Sequence, residues 1–139
     1  MKISDKVSVV APARLHLGFM DLNGSLGRKF GSVGMAIDSI ETDILVSKIP
    51  LVNRSDVSKN NQRAHEYAQL ILKAYELEES VSIKINKSIP EHSGLGSGTQ
   101  LALAVGSAVS KLFNLNLSLM DIGKILDRGN RSGIGIGAF

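Results

Sequence analysis

Residues 89–100 read Ile-Pro-Glu-His-Ser-Gly-Leu-Gly-Ser-Gly-Thr-Gln. Their chemistry is that of an anion cradle. Gly94, Gly96 and Gly98 let a backbone approach a ligand closely, and Ser97 and Thr99 put hydroxyls where a helix should begin. The first turn of a helix carries unpaired N–H groups and the positive end of the dipole. A glycine-rich loop feeding such a turn suits phosphate, so Gly94, Leu95, Gly96, Ser97, Gly98 and Thr99 are the expected phosphate-binding residues. The plainer alternative is a tight strand-to-helix turn with no ligand. No Lys follows the last Gly, so this is not a Walker loop.

Two further segments have usable chemistry. Residues 12–21, Pro-Ala-Arg-Leu-His-Leu-Gly-Phe-Met-Asp, place Arg14 and His16 on one side of an extended chain and Leu15 and Leu17 on the other. A guanidinium beside an imidazole suits a phosphate or carboxylate; the plainer account is a surface Arg and a strand His. Residues 127–136, Asp-Arg-Gly-Asn-Arg-Ser-Gly-Ile-Gly-Ile, set Arg128 and Arg131 among glycines, where a second anion would fit. Glu91 and His92 are candidate acid–base groups, with a solvated turn as the commoner explanation. The sequence has no His-Glu-x-x-His and no Gly-x-Ser-x-Gly elbow. No protein-only metal cage is expected, and Mg²⁺ would arrive with a substrate's phosphates.

Composition narrows the classes. The chain has 139 residues, enough for one domain with its own core, and 43% of them are hydrophobic. Aromatics are 4%, a poor supply of stacking platforms for single-stranded nucleic acid. The net charge is +3 with the basic residues scattered, which fits a phosphorylated or carboxylated small molecule better than a nucleic-acid stripe. There is no Cys, so disulfides and thiolate chemistry are excluded. No stretch would span a bilayer and no signal-peptide core is present. A cytoplasmic protein with no nucleic-acid or membrane partner is expected.

The elements that must position these segments follow from periodicity. Residues 6–17 alternate as a strand, with a bulge or bend expected at Pro12. A turn at 21–24 extends as a loop to 27. Residues 32–37 read as a short buried strand, Asp38-Ser39 as a turn and 42–49 as the next strand, an antiparallel meander. Residues 50–62 read as a surface loop and 61–77 as a helix, with Ala64, Tyr67, Ala68, Ile71, Ala74 and Tyr75 in helical spacing. Val81, Ile83 and Ile85 mark a strand with one wet face. Residues 101–113 are apolar almost all round, a helix buried between layers, with Gly106 and the alanines allowing close packing. Ser118 and Asp121 fit a capping box, Leu119, Ile122 and Leu126 give the third helix its inward stripe, and Gly129 is a stop. Residues 131–139 read as a weak strand, or as a close backbone approach or second ligand loop marked by Gly133, Gly135 and Gly137.

Together the three segments resemble the GHMP kinase superfamily. Pro90-x-x-x-Gly94-Leu95-Gly96-Ser97-Gly98 resembles its phosphate motif, with Gly98 where a second Ser is usual, and Pro12-x-Arg14-x-x-Leu17 resembles its first motif. Residues 12–21 and 131–136 are most similar to one branch, the β-ribofuranosylaminobenzene 5'-phosphate synthases of archaeal methanopterin synthesis. The resemblance implies an α+β, two-layer α/β sandwich of the GHMP-kinase N-terminal type over residues 1–139, with a left-handed βαβ crossover where general rules favour a right-handed one. It implies a decarboxylating condensation of phosphoribosyl pyrophosphate with 4-aminobenzoate that releases CO₂ and pyrophosphate in the presence of Mg²⁺. Arg14 and His16 would be catalytic, and Arg131 and Ser132 would bind substrate. GHMP kinases carry Ser-Gly-x-Asp where this chain has Ser132-Gly133-Ile134-Gly135, so the kinase base is missing. An ATP-dependent kinase and a non-catalytic phosphate-binding fragment are the competing readings. Family members continue into a C-terminal domain, so a homodimer or a complementing C-terminal half is an expected partner.

Overall fold

The computed structural model describes residues 4–27, 31–49, 61–130 and 133–139. Strands β1 (Lys6–Met20), β2 (Gly31–Ile49) and β3 (Ser80–Lys87) form one sheet in the order β1-β2-β3, antiparallel throughout. Helices α1 (Gln62–Ala74) and α2 (Ser97–Leu112) cover one face, and α3 (Leu119–Ile125) and α4 (Ile134–Ala138) complete the helical layer. The result is an α+β sandwich of two layers. All described strand pairs are antiparallel and neighbours in the chain, so the left-handed crossover implied by the resemblance, which needs a parallel pair, does not occur among the described residues.

Alternation decides which side chains go inside. Val7, Val9 and Ala11 of β1 stand opposite Val46, Ile44 and Thr42 of β2, and Ile83 of β3 stands opposite Val46. Against them lies the near-continuous apolar surface of α2, with Ala102, Leu103, Val105, Ala108 and Val109 fully buried. Each large side chain taken out of water there stabilises the fold by about 1.5–3 kcal/mol. Gly106 lets α3 come close: a Cβ at that position would overlap Ile122.

The meander is longer than its turn signals suggest. Asp38-Ser39 does not end a strand. β2 runs through it, and the register jumps from Pro12↔Glu41 to Ala13↔Ile37, leaving Asp38, Ser39 and Ile40 as a bulge with Ser39 at φ 68°. Pro12 sits at this irregularity, where its missing N–H costs the ladder nothing. Residues 32–37 are a strand but not a buried one. Leu17 (60% exposed) and Met35 (54% exposed) belong to an outer hairpin half on which α4 packs at Gly34, leaving these side chains outside the core. Within residues 131–139, read as a weak strand or a close backbone approach, Ile134–Ala138 form the short helix α4 and not a strand. Most of the surface loop expected over 50–62 lies outside the described residues.

Candidate functional site

The glycine loop leaves β3 through Ile89, which is fully buried, and enters α2 at Ser97. Its N-cap is Gly96 at φ 79°, a left-handed conformation that favours glycine. The space beneath Gly96 is equally restrictive: a Cβ there would lie 2.8 Å from Arg14 Nε and 2.9 Å from Arg14 Cγ. The loop is pinned to β1 at two points. The Arg14 amide donates to the Leu95 carbonyl at 3.0 Å, and Arg14 Nη1 donates to the Gly94 carbonyl at 3.2 Å. Arg14 therefore reaches the loop from the sheet side and spends one donor holding it. His16, two residues on, rests its ring against Phe19 at 4.6 Å, and its buried Nε2 has no hydrogen-bond partner among the described residues.

Above the loop lies a cleft of about 390 Å³. Asn61, Arg63 and Ala64 bring the start of α1 to it, and Ser97 and Gly98 bring the start of α2. The first intrahelical bond of α2 is donated by the Gln100 amide to the Gly96 carbonyl, so the amides of Ser97, Gly98 and Thr99 precede the helical ladder. Neither helix has a side-chain cap or an acidic residue in its first turn. The Asn61 side chain donates to the Ile83 carbonyl at 2.9 Å instead of capping. Two positive helix ends thus open on one cleft. Glu91 stands at its mouth, 3.7 Å from Arg63, an exposed pair worth little.

The third segment closes the other side of α2. Thr99 packs on Gly135, where a Cβ would meet Thr99 Cγ2 at 2.6 Å. The fully buried Gln100 donates from Nε2 to the Gly135 carbonyl at 2.8 Å. The close backbone approach expected of these glycines is present at Gly135. Arg131 and Ser132 lie outside the described residues. Arg128 comes back across α1: its Nη2 donates to the Tyr67 hydroxyl and its guanidinium sits over the Tyr67 ring at 5.5 Å.

Reading the sequence missed Arg63, Tyr67 and Gln100. Arg63 and Tyr67 are four apart on α1, a spacing that stacks them on one face and signals a shared contact. Gln100 interrupts an otherwise apolar helix, which is the mark of a buried polar tie. Among the described residues no three His, Asp or Glu gather where a metal ion could be held, and no helix is long and apolar enough to cross a membrane.

Residues 62–138 match the GHMP kinases N terminal domain. The chain belongs to the GHMP kinase family. Its curated relatives include the β-ribofuranosylphenol 5'-phosphate synthase of Methanocaldococcus jannaschii, 38% identical over 94% of this chain and 43% of that protein. The enzyme of the same name from Archaeoglobus fulgidus is 38% identical over 92% of this chain and 40% of that protein. The chain therefore spans about two fifths of the length of these relatives. Homoserine kinase from Cytophaga hutchinsonii superposes with a TM-score of 0.67 at 20% identity, covering 99% of this chain and 44% of that one, and shares the fold. The family match covers the glycine loop, α2 and α4.

Proposed function

We propose that this chain forms the phosphate-holding part of a β-ribofuranosyl arene 5'-phosphate synthase. The reaction joins phosphoribosyl pyrophosphate to a 4-substituted benzoate. A bond forms between ribose C1′ and the ring carbon bearing the carboxylate; the C1′–O bond to pyrophosphate breaks, and loss of CO₂ returns its bonding pair to the ring. No oxidant or reductant is required. The relatives carry phenol in their names where the sequence resemblance suggests aminobenzene, so the amine or hydroxyl opposite the carboxylate is the point to test.

The observation that carries this reading is Gly135. In GHMP kinases of the resembling pattern a carboxylate base would stand there, and here Thr99 fills the space that its Cβ would need. General-base phosphoryl transfer lacks both its group and the room for it. A synthase needs a preorganised cradle for a departing diphosphate, which the α2 amides supply without reorganisation. Arg14 acts as a positioning residue that fixes the loop. Arg131 and Ser132 orient the second substrate, and His16 moves protons at the sheet end of the site. Mg²⁺ neutralises the diphosphate as part of the substrate. Among the described residues Glu91 is the one carboxylate lining the cleft, in keeping with an ion held chiefly by phosphates and water.

The rest of the site belongs to a complementing C-terminal portion. Support comes from the fraction of each relative that this chain spans and from the uncovered Leu17, Phe19, Met20, Val33 and Met35 of the outer hairpin. Such an enzyme works in the cytoplasm.

The test is a paired assay on the chain alone and on the chain joined to the C-terminal portion of the M. jannaschii relative. One mixture holds phosphoribosyl pyrophosphate, Mg²⁺ and either 4-aminobenzoate or 4-hydroxybenzoate, with CO₂ and pyrophosphate followed. The other holds ATP and candidate alcohols, with ADP followed. Release in the first mixture only is expected. ADP formation alone would replace the synthase by a kinase, and silence in both would leave a binding fragment.

A further inference from the structure

Gly98 is the second residue of α2, and the space beside it would admit a side chain without a clash. A Cβ built there finds nothing nearer than Arg128 Nη1 at 3.9 Å and Arg63 Nη1 at 4.0 Å. Two guanidinium groups, one from α1 and one from the segment after α3, therefore converge beside Gly98, at the positive end of a 16-residue helix and on the wall of the cleft. Neither arginine is there by default. Arg128 is drawn across α1 by the Tyr67 hydroxyl and ring, and its buried Nε has no hydrogen-bond partner. Among the described residues no carboxylate pairs with Arg128, and the only one near Arg63 is the exposed Glu91. Bringing like charges together without a counter-ion is unfavourable, and a bound anion would remove that cost.

We propose that Arg63 and Arg128 form a diphosphate subsite over Gly98, in which the missing side chain makes room for the anion. The two guanidiniums take the outer oxygens, and the amides of Ser97, Gly98 and Thr99 take the inner ones. Charge-assisted bonds to forked guanidiniums are the strong class of hydrogen bond. A diphosphate is the anion that the proposed reaction releases, and the adjoining cleft of about 390 Å³, lined by Arg63, Ser97 and Gly98, has room for its second phosphate. The subsite deepens the proposed function by naming the residues that hold the leaving group, and it rests on that reading for the choice of diphosphate and the identity of the parent substrate. Arg63 and Arg128 bind the ligand; Tyr67 is a positioning residue acting through Arg128.

The experiment titrates the chain with inorganic pyrophosphate, orthophosphate and phosphoribosyl pyrophosphate in magnesium-free buffer, by calorimetry, beside thermal melts. Gly98→Asp places a carboxylate where the anion would sit. Its Cβ has room, and its charge suits both the arginines and the helix start, so the fold should melt at or above the native temperature. Pyrophosphate affinity should fall by about a hundredfold in Gly98→Asp and about tenfold in Arg128→Gln, and by about threefold in Tyr67→Phe. Glu91→Gln should move the other way, tightening pyrophosphate about twofold by removing a competitor for Arg63. A purely structural role for these residues would not produce that opposite sign. Tighter orthophosphate than pyrophosphate binding would make it a single-phosphate site and overturn the diphosphate assignment. Unchanged pyrophosphate affinity in a folded Gly98→Asp, or no binding to the native chain, would overturn the subsite itself. If Gly98→Asp loses pyrophosphate but no condensation is seen with phosphoribosyl pyrophosphate, the subsite stands and the synthase reading falls.

Discussion

The starts of α2 and α3 are built in opposite ways by the same chain. At α3, Ser118 is extended (φ −74°, ψ 161°) and accepts from the Asp121 amide at 3.1 Å, while Asp121 accepts from the Ser118 amide at 3.1 Å. That is a complete capping box with a carboxylate at the positive helix end. At α2, the N-cap is a left-handed glycine with no side chain to offer, and the first turn has no acid. The nearby Ser93 hydroxyl does not turn inward to cap; it donates to the Pro90 carbonyl at 2.6 Å. A good cap contributes about 1 kcal/mol, and this chain makes one at α3. It makes none at α1, at α2 or at the five-residue α4; among the longer helices, the two uncapped starts, α1 and α2, line one cleft that includes no residue of α3. The difference teaches that an uncapped helix start is informative when a neighbour shows that capping was within reach of the sequence.

The strongest way to break the contrast is to deny α2 its left-handed entry. Gly96→Val should cost about 2–5 kcal/mol, from a β-branched residue at positive φ plus a Cβ driven into Arg14. Denaturant melts should show the loss, and pyrophosphate binding should vanish with it. Binding that survives in a folded Gly96→Val protein would mean that the cradle lies elsewhere. Next in size is the brace beneath the loop. Arg14→Leu keeps bulk against Gly96 but removes the donor to the Gly94 carbonyl, and should cost about 1–2 kcal/mol. Because Arg14 holds the loop and Arg63 and Arg128 face the ligand, pyrophosphate should weaken only severalfold, against about tenfold for Arg128→Gln. Equal losses in the two variants would erase the distinction between brace and ligand-binding arginine.

Much of this was legible in the sequence, for local reasons. The capping box, the alternation of β1 and β3, the buried character of α2 and the hydroxyl-rich entry to it all depend on residues close in the chain. Asp38-Ser39 misled because its turn chemistry is real: Ser39 does take positive φ, but inside a bulge whose flanks stay paired to β1. The glycines at 133, 135 and 137 marked a close backbone approach, which Gly135 makes, but the short helix around it was not legible, because its packing against Thr99 and Gln100, 36 and 35 residues away, is invisible to local pattern. The subsite over Gly98 was legible only in part. Arg128 stood out among glycines, but Arg63 lies 35 residues before Gly98 and is brought to it only by the packing of α1 on α2.

The smallest expected effect sharpens the comparison from the capped side. Asp121 is held below the usual carboxylate range, first by the Ser118 hydroxyl and then by the Ser118 amide. A carboxylate whose folded pKa is depressed contributes stability that is complete above the unfolded value of about 3.9 and is lost as pH falls through the lower folded value. Asp121→Asn removes that charge at every pH. The native chain should therefore melt slightly higher than Asp121→Asn at neutral pH, and the gap should close as the solution is acidified past the Asp range. It should also shrink with added salt, since the carboxylate is fully exposed. Pyrophosphate affinity at neutral pH should be the same in both proteins, because this helix start is capped by its own Ser118 and Asp121 and lines no part of the α1–α2 cleft. A gap that persisted in acid would assign the cap to neutral hydrogen bonding. A change in pyrophosphate affinity would show that the two helix starts are coupled, and the contrast between them would lose its meaning.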